Sequence, residues 1–155
     1  MTIVFSVPGA PVGWQRAGVN RYSGRHYTQD KTRYAEQEIA IRYRAVARGW
    51  KWPAKTPLAI MVFALFPVPK SATKAERTAM IERRILPTIK VDWDNCGKLV
   101  GDALNGVAYD DDKDIVVGTV YKMYSENPRT VVMIRDGFDM TLYYPPREGR
   151  YEWAE

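Results

Sequence analysis

Residues 90–106 read KVDWDNCGKLVGDALNG, an acidic segment followed directly by an amphipathic pattern. We expect a strand over Thr88 to Trp93 that delivers Asp92 and Asp94 at its end. Side chains two positions apart in a strand leave by the same face, so these two carboxylates would be close enough to share one hard cation. The stretch therefore predicts a metal-binding sheet edge with a helix immediately after it.

The pattern after the two acids is typical of an amphipathic helix. Asp94 or Asn95 can cap its N-terminus, and Asn105-Gly106 can end it. The apolar positions recur at helical spacing and are Cys96, Leu99, Val100, Ala103 and Leu104. Cys96 is therefore predicted to point into the core, which makes it an unsuitable nucleophile.

Lys98 lies one helical turn after Asp94 and one turn before Asp102, on the same side of the expected helix. It could form an ordinary surface ion pair with Asp102. It could also carry an ammonium group beside the acidic pair. The nearby aspartates favour the second interpretation.

A second acidic run, Asp110-Asp111-Asp112-Lys113-Asp114, precedes an apolar strand pattern. The repulsion between its carboxylates has to be offset by a cation or by basic neighbours, unless the run is simply a solvated loop. Neither acidic segment is an EF-hand, because Cys96 stands fifth counted from Asp92 and Ile115 stands sixth counted from Asp110. Ligation by carboxylates alone favours Mg²⁺ or Mn²⁺, which commonly complete their shells with water and substrate phosphate.

The whole chain predicts an α+β fold of two layers, with a mixed sheet of about five strands and helices mainly on one face. Helical spacing indicates a helix from about Asp30 to Ala47, and Thr73 with Glu76 forms a capping box for a short helix between Ser71 and Arg84. The continuous apolar run Leu58 to Phe66 indicates a central strand buried on both faces. Further strands are expected over Ile3 to Val7, Ile115 to Met123 and Thr130 to Ile134, the last two as a hairpin through residues 126–128.

Composition limits the class of protein. The 155 residues are 46% hydrophobic, which suits one domain, with a core over about 1–135 and a C-terminal extension over 136–155. Lys and Arg outnumber Asp and Glu by 23 to 18, and the acids cluster after Asp92, so the remaining surface is more basic than the total suggests. This fits a polyanionic partner, although ordinary surface lysines are the alternative.

No signal peptide or membrane-spanning run is visible, and a lone cysteine excludes an internal disulfide, so we expect a cytoplasmic protein.

The motif Asp92-x-Asp94-Asn95-x-x-Lys98, then Asp102-Ala103-Leu104-Asn105-Gly106, then Tyr109-x-Asp111-Asp112-x-x-Ile115 resembles the signature of the RusA family of Holliday junction resolvases. Order, spacing and residue types agree throughout the motif, and weaker similarity covers most of residues 1–135. Val91 stands where the family commonly has proline, and Asp114 where it commonly has glutamine.

The resemblance implies a homodimeric endonuclease, dependent on Mg²⁺ or Mn²⁺, that cuts a four-way DNA junction by paired symmetric nicks. It implies that Asp92, Asp94 and Asp112 are the metal-binding catalytic carboxylates and that Lys98 is the essential lysine. Asn95 and Asp111 are expected helpers. We expect the three carboxylates to converge on a shared ion in an open hollow.

Branched DNA is the partner that the resemblance implies, and the basic residues would hold it. Residues 9–29 are expected to form a long ordered loop whose arginines hold phosphates with little sequence preference. Its aromatic residues Trp14, Tyr22 and Tyr27 could stack on unpaired bases or simply pack the loop. A homodimer would present two identical sites to the approximate two-fold symmetry of a junction. The predicted DNA-binding residues are Arg16, Arg21, Arg25, Lys31, Arg33, Lys90 and Lys122.

Two other functions are consistent with parts of this pattern. A non-catalytic module could bind branched DNA and use its acids for a structural cation. Asp92-Trp93-Asp94 could instead be the Asp-x-Asp motif of a nucleotide-sugar transferase. The chain lacks the length and the Gly-rich phosphate loop that such transferases usually need.

Overall fold

A computed structural model describes residues 1–16, 18–19, 22, 26–27 and 30–138. Arg21 and Arg25 of the predicted DNA-binding set lie outside these residues, as does the tail from residue 139 onwards. The elements are β1 (Thr2–Pro8), β2 (Gly18–Val19), β3 (His26–Tyr27), α1 (Asp30–Ala47), β4 (Leu58–Pro67), α2 (Lys74–Ile81), α3 (Trp93–Leu104), β5 (Ile115–Ser125) and β6 (Arg129–Arg135).

Four strands form a mixed sheet in the order β1-β6-β4-β5, which confirms the predicted α+β class with one strand fewer than expected. Strand β6 runs antiparallel to both β1 and β4, and β4 runs parallel to β5. The short strands β2 and β3 pair separately from this sheet. Strand β4 is internal, as its apolar run predicted, because it has hydrogen-bonded neighbours on both edges.

The predicted hairpin between β5 and β6 is wrong. Strand β4 lies between them, so residues 126–128 cross the end of β4 instead of forming a hairpin turn. The expected burial of β4 on both faces is also only partly right, since Ile60 and Val62 are buried whereas Met61 and Phe63 are half-buried. Helices α1 and α3 cover only the face of β4 that carries Ile60 and Val62, which explains why side-chain burial alternates along the strand.

The predicted strand over Thr88 to Trp93 is also wrong. Pro87 is buried, no strand forms over residues 88–92, and α3 begins at Trp93. The Nζ atom of Lys122 in β5 donates a hydrogen bond to the Ile89 carbonyl oxygen at 3.2 Å. Val91 packs against Ala64, Phe66 and Cys96, so the segment lies on the helix-side face of the sheet and does not extend the sheet at an edge.

The core lies between the sheet and helices α1 and α3. Helix α1 has the predicted bounds and contributes the buried residues Ile39 and Tyr43. The whole predicted apolar face of α3 is buried, with Leu104 fully enclosed. Burial of each large aliphatic side chain stabilises the fold by about 1.5–3 kcal/mol, so this face fixes the position of α3 on the sheet.

Helix α2 confirms the predicted capping box. The Thr73 side chain accepts a hydrogen bond from the Glu76 amide, and the Glu76 carboxylate accepts one from the Thr73 amide at 2.7 Å. These bonds lower the pKa of the Glu76 carboxyl. Arg77 then holds Glu126 with two hydrogen bonds of 2.7 and 2.9 Å, tying α2 to the connection between β5 and β6. No helix in the described part of the chain is long and apolar enough to cross a bilayer.

Candidate active site

An open cleft of about 450 Å³ lies between α3 and the beginning of β5. Its wall includes Asp94, Lys98 and Asp102, which are spaced four residues apart and therefore lie one above the other along one side of α3. Asp112 reaches the same cleft from the turn before β5. Three aspartates and one lysine thus line a single cavity.

The backbone of α3 lies close to β5 because position 97 is glycine. A Cβ atom at Gly97 would meet the Cγ2 atom of Val120 at 3.1 Å. The next glycine along the helix, Gly101, has open space where its Cβ would be. Both glycines line the cleft. Gly97 permits the close approach of helix and strand, and Gly101 leaves the cavity open.

Asp92 and Asp94 lie at the N-terminus of α3. Asp92 occupies the N-cap position without a side-chain capping bond, and Asp94 lies in the first turn. The partial positive charge of a helix N-terminus favours carboxylates at both positions. Asp92 lines an adjoining smaller hollow of about 150 Å³ together with Trp14, Lys31 and Lys90. The structure therefore brings Asp94 and Asp112 to one cavity and places Asp92 at its neighbour.

The predicted helpers contact the residues beside them. The Nδ2 atom of Asn95 donates a long hydrogen bond of 3.4 Å to the Oδ2 atom of Asp92. Asp111 caps a 3₁₀ turn over Asp112–Asp114, accepting bonds from the Lys113 amide at 3.1 Å and from the Lys113 ammonium at 3.0 Å. These bonds lower the pKa of the Asp111 carboxyl, with the backbone bond as the largest cause.

The turn that carries Asp112 is also anchored on its other side. Asp114 is buried, and its Oδ2 atom accepts a hydrogen bond from the Lys55 amide at 3.1 Å. Asp111 and Asp114 thus fix the turn, while the side chain of Asp112 stays exposed at the cleft. Asp114, which stands where the family commonly has glutamine, therefore anchors this turn in the present chain.

The donor set of the cleft suits a hard divalent ion. Among the residues described, no group of three or more His, Cys, Asp or Glu side chains is arranged to hold a metal. Mg²⁺ usually binds through one or two carboxylates and keeps several waters, which matches Asp94 and Asp112 at one open cavity. The oxygen ligands fit Mg²⁺ or Mn²⁺ better than softer metals.

Lys98 forms the ion pair that the sequence left open, since its Nζ atom lies 3.3 Å from the Oδ2 atom of Asp102. The residue also lines the cleft with Asp94, and the placement of its ammonium beside the acidic pair stays a prediction. The ammonium lies 4.7 Å from the ring centroid of Trp14.

Glu36 of α1 interacts electrostatically with Lys98 and Asp102. Burial and the charge of Asp102 raise the pKa of Glu36, and Lys98 lowers it. Sequence reasoning missed both Glu36 and the Trp14 contact, because neither segment is near α3 in the chain.

Two buried side chains beneath the cleft are inert. Cys96 is buried, which confirms its predicted place in the core, and this burial raises the pKa of its thiol to about 11. Tyr109 is fully buried and donates a hydrogen bond from its hydroxyl to the Gly101 carbonyl oxygen at 2.9 Å. Burial raises the Tyr109 pKa, and the charges of Asp112 and Asp102 raise it further, so the hydroxyl stays protonated as a brace for α3.

The basic residues predicted to contact DNA have different surroundings. Lys31 and Lys90 are exposed and line the hollow beside Asp92. Arg16 is exposed in the segment before β2. Arg33 instead pairs with Asp30 at 2.7 Å, and Lys122 is engaged with the Ile89 carbonyl.

An α+β domain with an open acidic cleft, a lysine in its wall and exposed basic side chains nearby is typical of enzymes that cleave phosphodiesters with a metal ion. The model of a family described as endodeoxyribonuclease RusA matches residues 8–135. A relative from Bacillus subtilis (strain 168), described as uncharacterized protein YqaN, is 35% identical over 143 residues, covering 86% of this chain and 96% of the relative. The chain therefore belongs to the RusA family of Holliday junction resolvases, as its motif predicted.

Proposed function

We propose that this protein is a divalent-metal-dependent endonuclease that resolves four-way DNA junctions by paired symmetric nicks. The observation that carries the proposal is that Asp94, Asp112 and Lys98 line one open cleft. Two of these residues come from α3 and one from the turn before β5. Their meeting at a cavity open to solvent, in a chain of the RusA family, supports a nuclease site.

Asp94 and Asp112 would hold Mg²⁺ or Mn²⁺, with Asp92 contributing from the adjoining hollow. A bound ion of this kind supplies a Lewis acid and lowers the pKa of attacking water. The ammonium of Lys98 would neutralise negative charge that develops on the scissile phosphate and the leaving oxygen, where a fixed cation is more effective than solvent. Asn95 would orient Asp92 through its amide, and Asp111 would orient Asp112 by capping its turn.

DNA would approach from the side that carries Lys31 and Lys90. Both are exposed and line the hollow that Asp92 also lines, so they can contact phosphates of the bound strand near the cleaved bond. Such contacts are electrostatic and carry little sequence information. Arg16, Arg21, Arg25, Arg33 and Lys122 remain predicted DNA contacts, although Lys122 would have to leave the Ile89 carbonyl.

A homodimer remains part of this proposal because a junction has approximate two-fold symmetry. The sheet face opposite α1 and α3 exposes Val4 and Tyr121, at 45% and 48%, and the Tyr121 ring stacks on Phe63. This face is turned away from the acidic cleft, so a second copy there would leave both sites open. A heterodimer of one wild-type and one Asp94→Asn subunit, separated from both homodimers, should then nick a junction on one strand only.

The decisive experiment incubates the protein with labelled four-way junctions and linear duplexes, with and without Mg²⁺. We expect symmetric nicks that require the metal and are confined to the junction. Asp94→Asn should abolish nicking while junction binding stays intact or improves, because the change removes a metal ligand and some repulsion of phosphate.

Asp110→Asn is the matched control, since Asp110 belongs to the same acidic run as Asp112 but pairs with Lys51 at 2.5 Å and does not line the cleft. Cleavage retained by Asp94→Asn at saturating Mg²⁺ would contradict the assignment. Binding without any divalent-dependent nicking would instead support the non-catalytic module with a structural cation.

A further inference from the structure

The indole ring of Trp14 lies against the ammonium of the cleft lysine. The Lys98 Nζ atom is 4.7 Å from the ring centroid and 3.3 Å from the Asp102 carboxylate. A cation at this distance is attracted by the negative charge on the face of an indole ring. The ammonium is therefore held by two groups, one aromatic and one acidic.

The backbone around Trp14 is hydrogen-bonded to both α3 and α1. The Trp14 amide donates a hydrogen bond to the Asn95 carbonyl oxygen at 2.9 Å, which ties it to the first turn of α3. A Cβ atom at Gly13 would meet the Cγ1 atom of Val91 at 3.0 Å, so any larger residue there would require Val91 to shift. The Gln15 amide donates to the buried Thr32 hydroxyl of α1 at 3.2 Å. The ring itself is half-buried and packs against the main core.

We propose that Trp14 is a positioning residue for Lys98 in the nuclease reaction, an inference that rests on the proposed function. A lysine side chain on a helix surface samples many rotamers, and a surface pair with Asp102 restrains it weakly. The fixed ring adds a second restraint on the ammonium of this cleft-lining lysine. A base-stacking role for Trp14, which the sequence left open, would instead need the ring to be available to a nucleobase.

Kinetics of three variants test this role. Trp14→Leu removes the aromatic face, Trp14→Phe keeps a smaller one, and Trp50→Leu is a matched control at a 41% exposed tryptophan after α1. We expect Trp14→Leu to lower the single-turnover cleavage rate by about tenfold, with junction Kd changed by less than about twofold. Trp14→Phe should fall between, and Trp50→Leu should match the wild type. Full activity of Trp14→Leu would overturn the inference. A raised Kd with an unchanged single-turnover rate would also overturn it, and would indicate stacking on DNA.

Proton NMR tests the contact itself, in the absence of DNA and metal. The ε-methylene protons of Lys98 should be shifted upfield by the Trp14 ring current, and the shifted signal, assigned by its loss in Lys98→Arg, should vanish in Trp14→Leu. Unshifted Lys98 protons in the wild type would overturn the inference, even if Trp14→Leu does not fold. If the wild type does not nick junctions, the proposed function is refuted, and so is any effect of Trp14 on the cleavage rate. Full activity of Trp14→Leu would refute only the positioning role of Trp14.

Discussion

The two glycines of α3 should respond oppositely to replacement by alanine. Alanine is favoured over glycine by about 1 kcal/mol in a helix interior. At Gly101 the added methyl group meets no atom within 4 Å, so the full gain should appear as stability. For a protein of this size that gain corresponds to a rise in Tm of about 2–4 °C.

At Gly97 the same gain is opposed by a close contact. The new Cβ would lie 3.1 Å from the Val120 Cγ2 atom, so α3 or β5 has to shift by a few tenths of an ångström. Overpacking of this kind typically costs about 1–3 kcal/mol, which cancels or exceeds the helical gain. Gly97→Ala should therefore be no more stable than the wild type, and its Tm should be unchanged or lower.

Thermal unfolding followed by circular dichroism measures both effects, and junction cleavage should be assayed alongside. Both positions line the cleft, so each variant is expected to cleave more slowly, and Gly101→Ala would do so although it is more stable. Equal stabilisation by the two substitutions would refute the argument, because it would show that the approach of α3 to β5 does not depend on a missing side chain at position 97.

Three further predictions concern charge and burial. Replacing Lys31 or Lys90 by alanine should each reduce the slope of log Kobs against log salt for junction binding by about 0.9, measured by fluorescence anisotropy, and an unchanged slope would exclude a phosphate contact. Cys96, with its pKa raised to about 11 by burial, should resist a thiol reagent at neutral pH until the protein unfolds, and rapid reaction in the native state would contradict its placement. Burial raises the pKa of Tyr43 from 10.0 to about 12, so the unfolded chain loses the hydroxyl proton at a lower pH than the folded protein does. The stability that the protonated Tyr43 contributes is therefore complete below pH 10 and is lost as the pH rises towards 12. Urea unfolding across that range should show a smaller alkaline loss for Tyr43→Phe.

The elements predicted correctly depend on local signals. Helix α1 follows from its apolar spacing, the beginning of α2 from the capping box at Thr73, and the internal position of β4 from its apolar run. Strand order depends on contacts between distant segments, which explains why a hairpin was expected where β4 intervenes. The alternation of residues 88–92 likewise resembles a strand, whereas the contact of Lys122 with the Ile89 carbonyl joins segments that are far apart in the chain and has no local signal.

The same division applies to the site. The spacing of Asp94, Lys98 and Asp102 is a local property, and it correctly placed them on one side of a helix. The motif associated Asp112 with them, and the structure brings it to the same cleft. The contact of Trp14 with Lys98 joins segments far apart in the chain, and its only signal is a tryptophan in a loop, for which the sequence offers packing of the loop or base stacking and no contact with the lysine.

The error over the strand at residues 88–93 changes the electrostatics of the site. Acids at a strand end would depend on a cation or basic neighbours to offset their repulsion, whereas Asp92 and Asp94 lie at the N-cap and in the first turn of α3. Unpaired amides there carry a partial positive charge that stabilises carboxylates by about 0.3–1 kcal/mol each. The helix can thus hold the two acids together before any ion binds. Lys98 and Asp102 follow on the same helix, so α3 carries both the acids at its N-terminus and the lysine of the cleft wall, and the missing side chain at Gly97 lets this helix lie close to Val120 of β5.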